Sequence, residues 1–374
     1  MSMRFYLGGL CLILVLGALL FPQNSDESQR RSATVAEIKD NISQKRVPVE
    51  AVSLASQFNN ASRINDEEFD WKSRLQFFVL GAQKAGTTSL FKYLGEHPYI
   101  APPLPKETRC WNVQFNPSDP YCEKYFATER FRNLYPDYIT GDCSPGYLYK
   151  QNVIPRIKNT YLHARFIVSL RDPTERAFSQ YKMNHRNGKL DISFDSLCLT
   201  ELETFRRLGL LSHWTFPPEF SNTDGLSESK MLEMYMLAKV NTTDLAENFA
   251  SPRMLKSWRK LQAEQGRNHL RAGLYAFQLR GWLKAFPREQ FLVFTSNEMS
   301  RDTNGVMKRI HAHLGVPHVP LNDTDPMNTA TGHSTENPEI SNQMRQILTK
   351  LFDPFDKMIA VVLEDDKWND PWAR

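Results

Sequence analysis

Lys84 lies between Gly81 and Gly86 and is followed by three hydroxyl side chains, Thr87, Thr88 and Ser89. Glycines so placed let the backbone bend tightly, so that successive N–H groups point inward at one anion. The lysine adds a full positive charge and the hydroxyls add donors. That chemistry suits holding a phosphate. Further along, Arg171 and Ser179 offer a charged fork and a hydroxyl that converge on one phosphate if a helix separates them. Between these sets stands Lys106-Glu107, which on its own reads as a solvated ion pair.

The elements that must position these groups are legible around them. Phe77-Phe78-Val79-Leu80 is an apolar run too short for a helix, so it reads as a buried strand. It gives way to the glycine-bracketed turn and then to helical spacing, which puts the positive end of a helix dipole behind the anion. That helix is expected to run to about Leu94, to stop at Gly95, and to turn Leu90, Phe91 and Leu94 inward. Residues 165–170 form a second apolar strand, after which Asp172 is placed to cap a helix and Pro173 to occupy its first position. A third short strand runs into a turn over residues 138–148. Strands alternating with helices predict a parallel α/β sheet with ligands at the carboxyl ends of the strands.

Alone, the first loop reads either as a phosphate cradle or as an ordinary turn with an exposed lysine. The triphosphatase pattern G-x-x-x-x-G-K-[ST] fits poorly, because there the lysine follows the second glycine, whereas Lys84 precedes Gly86. The order Lys84-Ala85-Gly86-Thr87-Thr88 instead resembles the 5′-phosphosulfate loop of Golgi sulfotransferases, which bind 3′-phosphoadenosine 5′-phosphosulfate (PAPS). Residues 171–181, RDPTERAFSQY, resemble that family's 3′-phosphate motif R-[DN]-P-x-x-R-x-x-S-x-Y. Lys106-Glu107-Thr108-Arg109-Cys110-Trp111 resembles the K-E-x-x-[FW]-[FW] segment of heparan and chondroitin sulfotransferases. Gly141-Asp142-Cys143-Ser144 looks closer to the N-acetylgalactosamine 4-sulfate 6-O-sulfotransferase branch, and residues 271–294 resemble the family's core run.

The resemblance implies a P-loop-like sulfotransferase domain with a central parallel sheet flanked by helices. It implies that Gln83, Lys84, Ala85, Gly86, Thr87, Thr88 and Ser89 hold the 5′-phosphosulfate, and Arg171 and Ser179 the 3′-phosphate. Lys84 and Glu107 would be catalytic, Glu107 as the base for a sugar hydroxyl. Lys106, Arg109, Asp142 and Ser144 would meet the acceptor, with PAPS as donor and no metal. The acceptor implied is chondroitin or dermatan sulfate. Two departures separate this chain from the heparan branch: Arg109 stands where histidine is usual in the 3-O-sulfotransferases, and Cys143 where a catalytic lysine is common. A heparan sulfate sulfotransferase and a non-catalytic lumenal glycan-binding protein remain as alternatives.

The rest of the chain supplies setting. Of 374 residues 41% are hydrophobic, enough for one large domain with appendages. A balance of 46 basic to 42 acidic side chains is too even to argue for nucleic acid. Residues 5–21 carry no charge and read as a signal anchor rather than a cleaved signal peptide, with 1–4 cytoplasmic, 22–70 a polar stem and 71–374 a lumenal domain on a Golgi membrane. Asn41, Asn60, Asn241 and Asn322 open glycosylation triplets. Cys11 falls in the anchor; Cys110, Cys122, Cys143 and Cys198 permit three pairings into two disulfides, with nothing to choose among them and no metal-pair spacing. Helical patches are expected over 199–211 and 230–240, then a helix over 304–314 ending at Gly315 and a last one over 338–363. The polar loop 322–337 between them has only His333 as a cationic candidate. Oligomeric state is not legible.

Overall fold

The computed structural model describes residues 71–112, 120–126, 138–325 and 338–372. The expected anchor, stem, Asn41 and Asn60 lie outside these residues, as do His333 and most of the polar loop. Among the described residues no helix is long and apolar enough to cross a membrane.

Four parallel strands make the central sheet in the order β2-β1-β3-β4, with β1 Leu75–Gly81, β2 Thr140–Asp142, β3 Arg165–Leu170 and β4 Phe291–Thr295. Side chains alternate across a strand, and β1 uses both faces. Phe78 and Leu80 enter one apolar cluster with Phe166 and Trp282, while Phe77 and Val79 enter another with Ile167 and Phe294. Burial on both faces is what a parallel sheet wrapped by helices requires.

The helices that cover it follow their sequence signals closely. Asp172 caps the helix Pro173–Arg186 (α2) by accepting from the Glu175 N–H at 2.9 Å, with Pro173 at its start. Trp282, fully buried in Tyr275–Leu283 (α3), packs on the sheet with its ring 5.3 Å from that of Phe166 and tilted to it. Thr303–Leu314 (α4) ends at Gly315 in the left-handed region. The first helix, α1 (Thr87–Gly95), departs from expectation at its end. Gly95 is its last helical residue rather than a left-handed stop, the chain turning at Glu96, and Tyr93 takes the buried place expected of Phe91. The middle elaboration is built from Phe194–Arg207 and Glu228–Leu237, the second followed by a strand at Lys239–Val240 rather than more helix. The final helix, α5, starts at Asn342, where Ser341 caps it, not at Pro338.

One disulfide forms, Cys110–Cys122, while Cys143 and Cys198 are buried free thiols. On α4, His311 is 1% exposed, with its ring 4.5 Å from that of His97 and its Nδ1 3.2 Å from His318 Nδ1. Burial, and then the neighbouring His97 and His318, push its pKa from 6.5 to about 4. The unfolded chain therefore takes up a proton that the folded ring refuses over that interval. Stability from this site is fully present above pH 6.5 and drains as pH falls, by up to about 1.4 kcal/mol per unit. In urea titrations the stability advantage of wild type over His311→Asn should narrow between pH 7 and pH 5. Equal margins at the two pH values would refute it.

Candidate active site

The loop after β1 is held by the end of β3. The Ala82 N–H donates to the Ser169 carbonyl at 2.6 Å, the Ser169 hydroxyl to the Ala85 carbonyl at 2.7 Å, and Arg171 Nη1 to the Lys84 carbonyl at 3.2 Å. Gly86, at φ 80°, turns the chain into α1, and Lys84 itself sits at φ 73°. A lysine in that region is uncommon and costs energy. Three bonds between this loop and Ser169 and Arg171 hold it there.

The electrostatics of Lys84 are one-sided. Burial lowers the pKa of its ammonium below the usual value, and Arg186, Arg171, Arg176 and Lys106 push it further the same way. Its Nζ lies 3.8 Å from the Met183 sulfur. Several cations gathered in a partly buried place favour an anion there. Arg176 is fully buried and bonded to Gln180 and to the His269 carbonyl, with no carboxylate paired to it among the described residues. It was visible in the sequence as the second arginine of R-D-P-x-x-R, yet went unassigned there. Ser179 lies half-buried on α2.

Glu107 is brought to the same end of the sheet by the segment after Pro105. Its Oε1 is 3.4 Å from Lys106 Nζ and its Oε2 2.8 Å from Arg109 Nη2. Lys106 also reaches the Thr87 hydroxyl at 3.4 Å, linking the carboxylate's surroundings to the start of α1. Glu107 and Arg109 line an open cleft of about 190 Å³ together with Gln83 and Lys150.

Two expected acceptor contacts are corrected. Asp142 has no exposed surface; its carboxylate accepts from Thr108 and Tyr147, both at 2.6 Å, and from Ser144 at 2.7 Å. Ser144 reaches the cleft wall but is 1% exposed, with its hydroxyl committed to Asp142 and to the Arg109 N–H. Both side chains are spent in a hydrogen-bonded cluster beneath the cleft surface. Lys106 and Arg109 remain at its surface. No group of three or more His, Cys, Asp or Glu suited to a metal occurs among the described residues.

Two donor- and cation-bearing loops follow adjacent parallel strands of an α/β sheet, and Glu107 lines the cleft beside them. The chain belongs to the sulfotransferase domain family, whose model matches residues 74–350. It is 25% identical over 317 residues to a membrane-associated sulfotransferase, kil1, of Dictyostelium discoideum, covering 78% of this chain and 66% of that protein. Carbohydrate sulfotransferase 15 of Mus musculus is 22% identical over 367 residues, 83% of this chain and 57% of that one. A mouse bifunctional heparan sulfate N-deacetylase/N-sulfotransferase 4 is 26% identical over 250 residues, 65% of this chain and 22% of that one. The chain therefore spans less than two thirds of the length of each of these relatives. A sulfotransferase crystal structure from Alicyclobacillus acidocaldarius aligns over 79% of this chain and 98% of that one, with 23% identity and a TM-score of 0.48.

Proposed function

We propose that this protein transfers a sulfuryl group from PAPS to the 6-hydroxyl of N-acetylgalactosamine 4-sulfate in chondroitin or dermatan sulfate. Sulfuryl transfer parallels phosphoryl transfer, an in-line displacement governed by positioning and charge. The acceptor oxygen attacks sulfur as Glu107 takes its proton, and the bond from sulfur to the 5′-phosphate oxygen breaks. Lys84 and the N–H groups of residues 83–89 meet the charge that develops on that oxygen. Arg171 and Ser179 hold the 3′-phosphate. The products are a sulfate ester and adenosine 3′,5′-bisphosphate.

The single observation that supports this reading is the Arg171 contact with the Lys84 carbonyl at 3.2 Å, a separation that one nucleotide would span. The cationic surroundings of Lys84 suit a ligand with phosphate at both ends. Residues 5–21 anchor the protein in a Golgi membrane in this reading, with 71–374 in the lumen. Asn241 and Asn322, both exposed, then carry glycans.

The test is incubation of the purified full-length chain with sulfur-labelled PAPS and separate chondroitin, dermatan, heparan and desulfated chains, followed by disaccharide analysis. Label in a 4,6-disulfated galactosamine disaccharide is expected. A second reading, a heparan acceptor, has the match to the heparan sulfate N-sulfotransferase in its favour, and label confined to heparan would establish it. Transfer to none of these chains would reject both.

A further inference from the structure

Beneath the cleft lies a buried polar cluster that the transfer chemistry leaves unused. Asp142 ends β2, fully buried, and its two oxygens receive three hydroxyl protons, from Thr108, Ser144 and Tyr147. Each of those hydroxyls in turn accepts a backbone N–H from the segment that follows Glu107. Ser144 accepts from Arg109 at 3.0 Å, Thr108 from Cys110 at 3.3 Å and Tyr147 from Trp111 at 3.3 Å. Successive amides of one loop thus hang, through three hydroxyl groups, on one carboxylate.

The direction of these bonds matters. A hydroxyl has one proton, and while Asp142 accepts it, the oxygen's lone pairs are free for the backbone N–H. An ionised carboxylate is acceptor-only, so it sets all three hydroxyls in the same sense, and charge-assisted bonds of this length are the strong ones. Arg109, at φ 56°, sits in the left-handed region within this segment, a conformation that persists only where the surroundings over-determine it. The Arg109 guanidinium then reaches back to Glu107 Oε2 at 2.8 Å. Burial raises the Asp142 pKa to about 6 against the opposing pull of its three hydroxyl donors.

We propose that Asp142 is a positioning residue for the transfer reaction: through Thr108, Ser144 and Tyr147 it fixes the backbone of residues 109–111 and thereby the aim of the Glu107 carboxylate. This rests on the reading of Glu107 as the base. An amide at position 142 offers one acceptor oxygen and an NH2 group in place of two acceptor oxygens. At least one hydroxyl must then turn its proton toward the loop, where it meets an N–H that needs an acceptor.

The experiment is a double-mutant cycle on the full-length chain, with wild type, Asp142→Asn, Glu107→Gln and the double variant assayed well below their melting temperatures. Thr108→Val, which removes one hydroxyl of similar volume, stands beside Asp142→Asn in case the latter does not fold. The expected result is a fall in kcat of roughly 10- to 100-fold for Asp142→Asn, with KM for PAPS and the affinity for adenosine 3′,5′-bisphosphate within about twofold of wild type. Thr108→Val should show the same split to a smaller degree. In the Glu107→Gln background the Asp142 substitution should add almost nothing, since both act through one carboxylate. A cluster that only stabilises the fold would lower the melting temperature and leave kcat in place. Wild-type kcat in folded Asp142→Asn or Thr108→Val, or a full additional loss in the double variant, overturns the proposal while leaving Glu107 as the base. Wild-type kcat in Glu107→Gln instead removes the base assignment, and the positioning role falls with it.

Discussion

Lys84→Ala should lower turnover on the order of 100-fold or more, the scale of losing a donor to a developing oxyanion. The substitution is clean in one respect. Lysine and alanine both carry a Cβ, so both pay the same cost for the left-handed backbone at this position, and what is removed is charge. Arg186, Arg171, Arg176 and Lys106 all disfavour the ammonium's charge, and its place becomes favourable when an anion fills it. Adenosine 3′,5′-bisphosphate should still bind, because Arg171 and Ser179 are untouched. Calorimetry beside steady-state rates separates the two effects. Turnover near the wild-type value would remove Lys84 from the chemistry.

Glu107→Gln should cost about 100- to 10,000-fold in kcat, the range in which positioned proton acceptors contribute. Glutamine keeps the size and one acceptor oxygen of the side chain but cannot take a proton. It also gives up the ion pairs to Lys106 and Arg109. These are partly exposed contacts of modest worth, so folding should survive. KM for PAPS should change little, since none of the groups assigned to the nucleotide is altered. Unchanged kcat would favour the non-catalytic glycan-binding alternative and would send the search for a base elsewhere in the cleft.

Much of the architecture was legible because it rests on local signals. Short apolar runs bracketed by glycine, Asp172 before Pro173, and Gly315 after a helical stripe each act within a few residues, and each behaves as read. Gly95 fails for an instructive reason: a glycine permits a left-handed stop without imposing one, and here the chain turns at Glu96 in ordinary right-handed backbone. Phe91 and Tyr93 differ by two positions on α1, and only packing against β1 decides which face is inward. Less of the site was legible. Lys84 and Arg171 could be singled out by type, but their proximity depends on β1 and β3 being adjacent strands. Asp142 reads as a polar turn residue beside Ser144. Its burial depends on Thr108, distant in the chain, and no pattern of spacing announces that. The Cys110–Cys122 bond was one of several open pairings, resolved only by where the backbone carries the two sulfurs.

The bond from the Arg171 guanidinium to the Lys84 carbonyl acts as a strut between the two halves of the pocket. If one nucleotide spans both loops, as proposed, a pull on the arginine at one end would reach the backbone of the lysine at the other. Energies of fragments carrying a single phosphate should therefore fail to sum to that of the intact molecule. A chemist building an inhibitor from pieces would do better to begin with a scaffold that spans both ends.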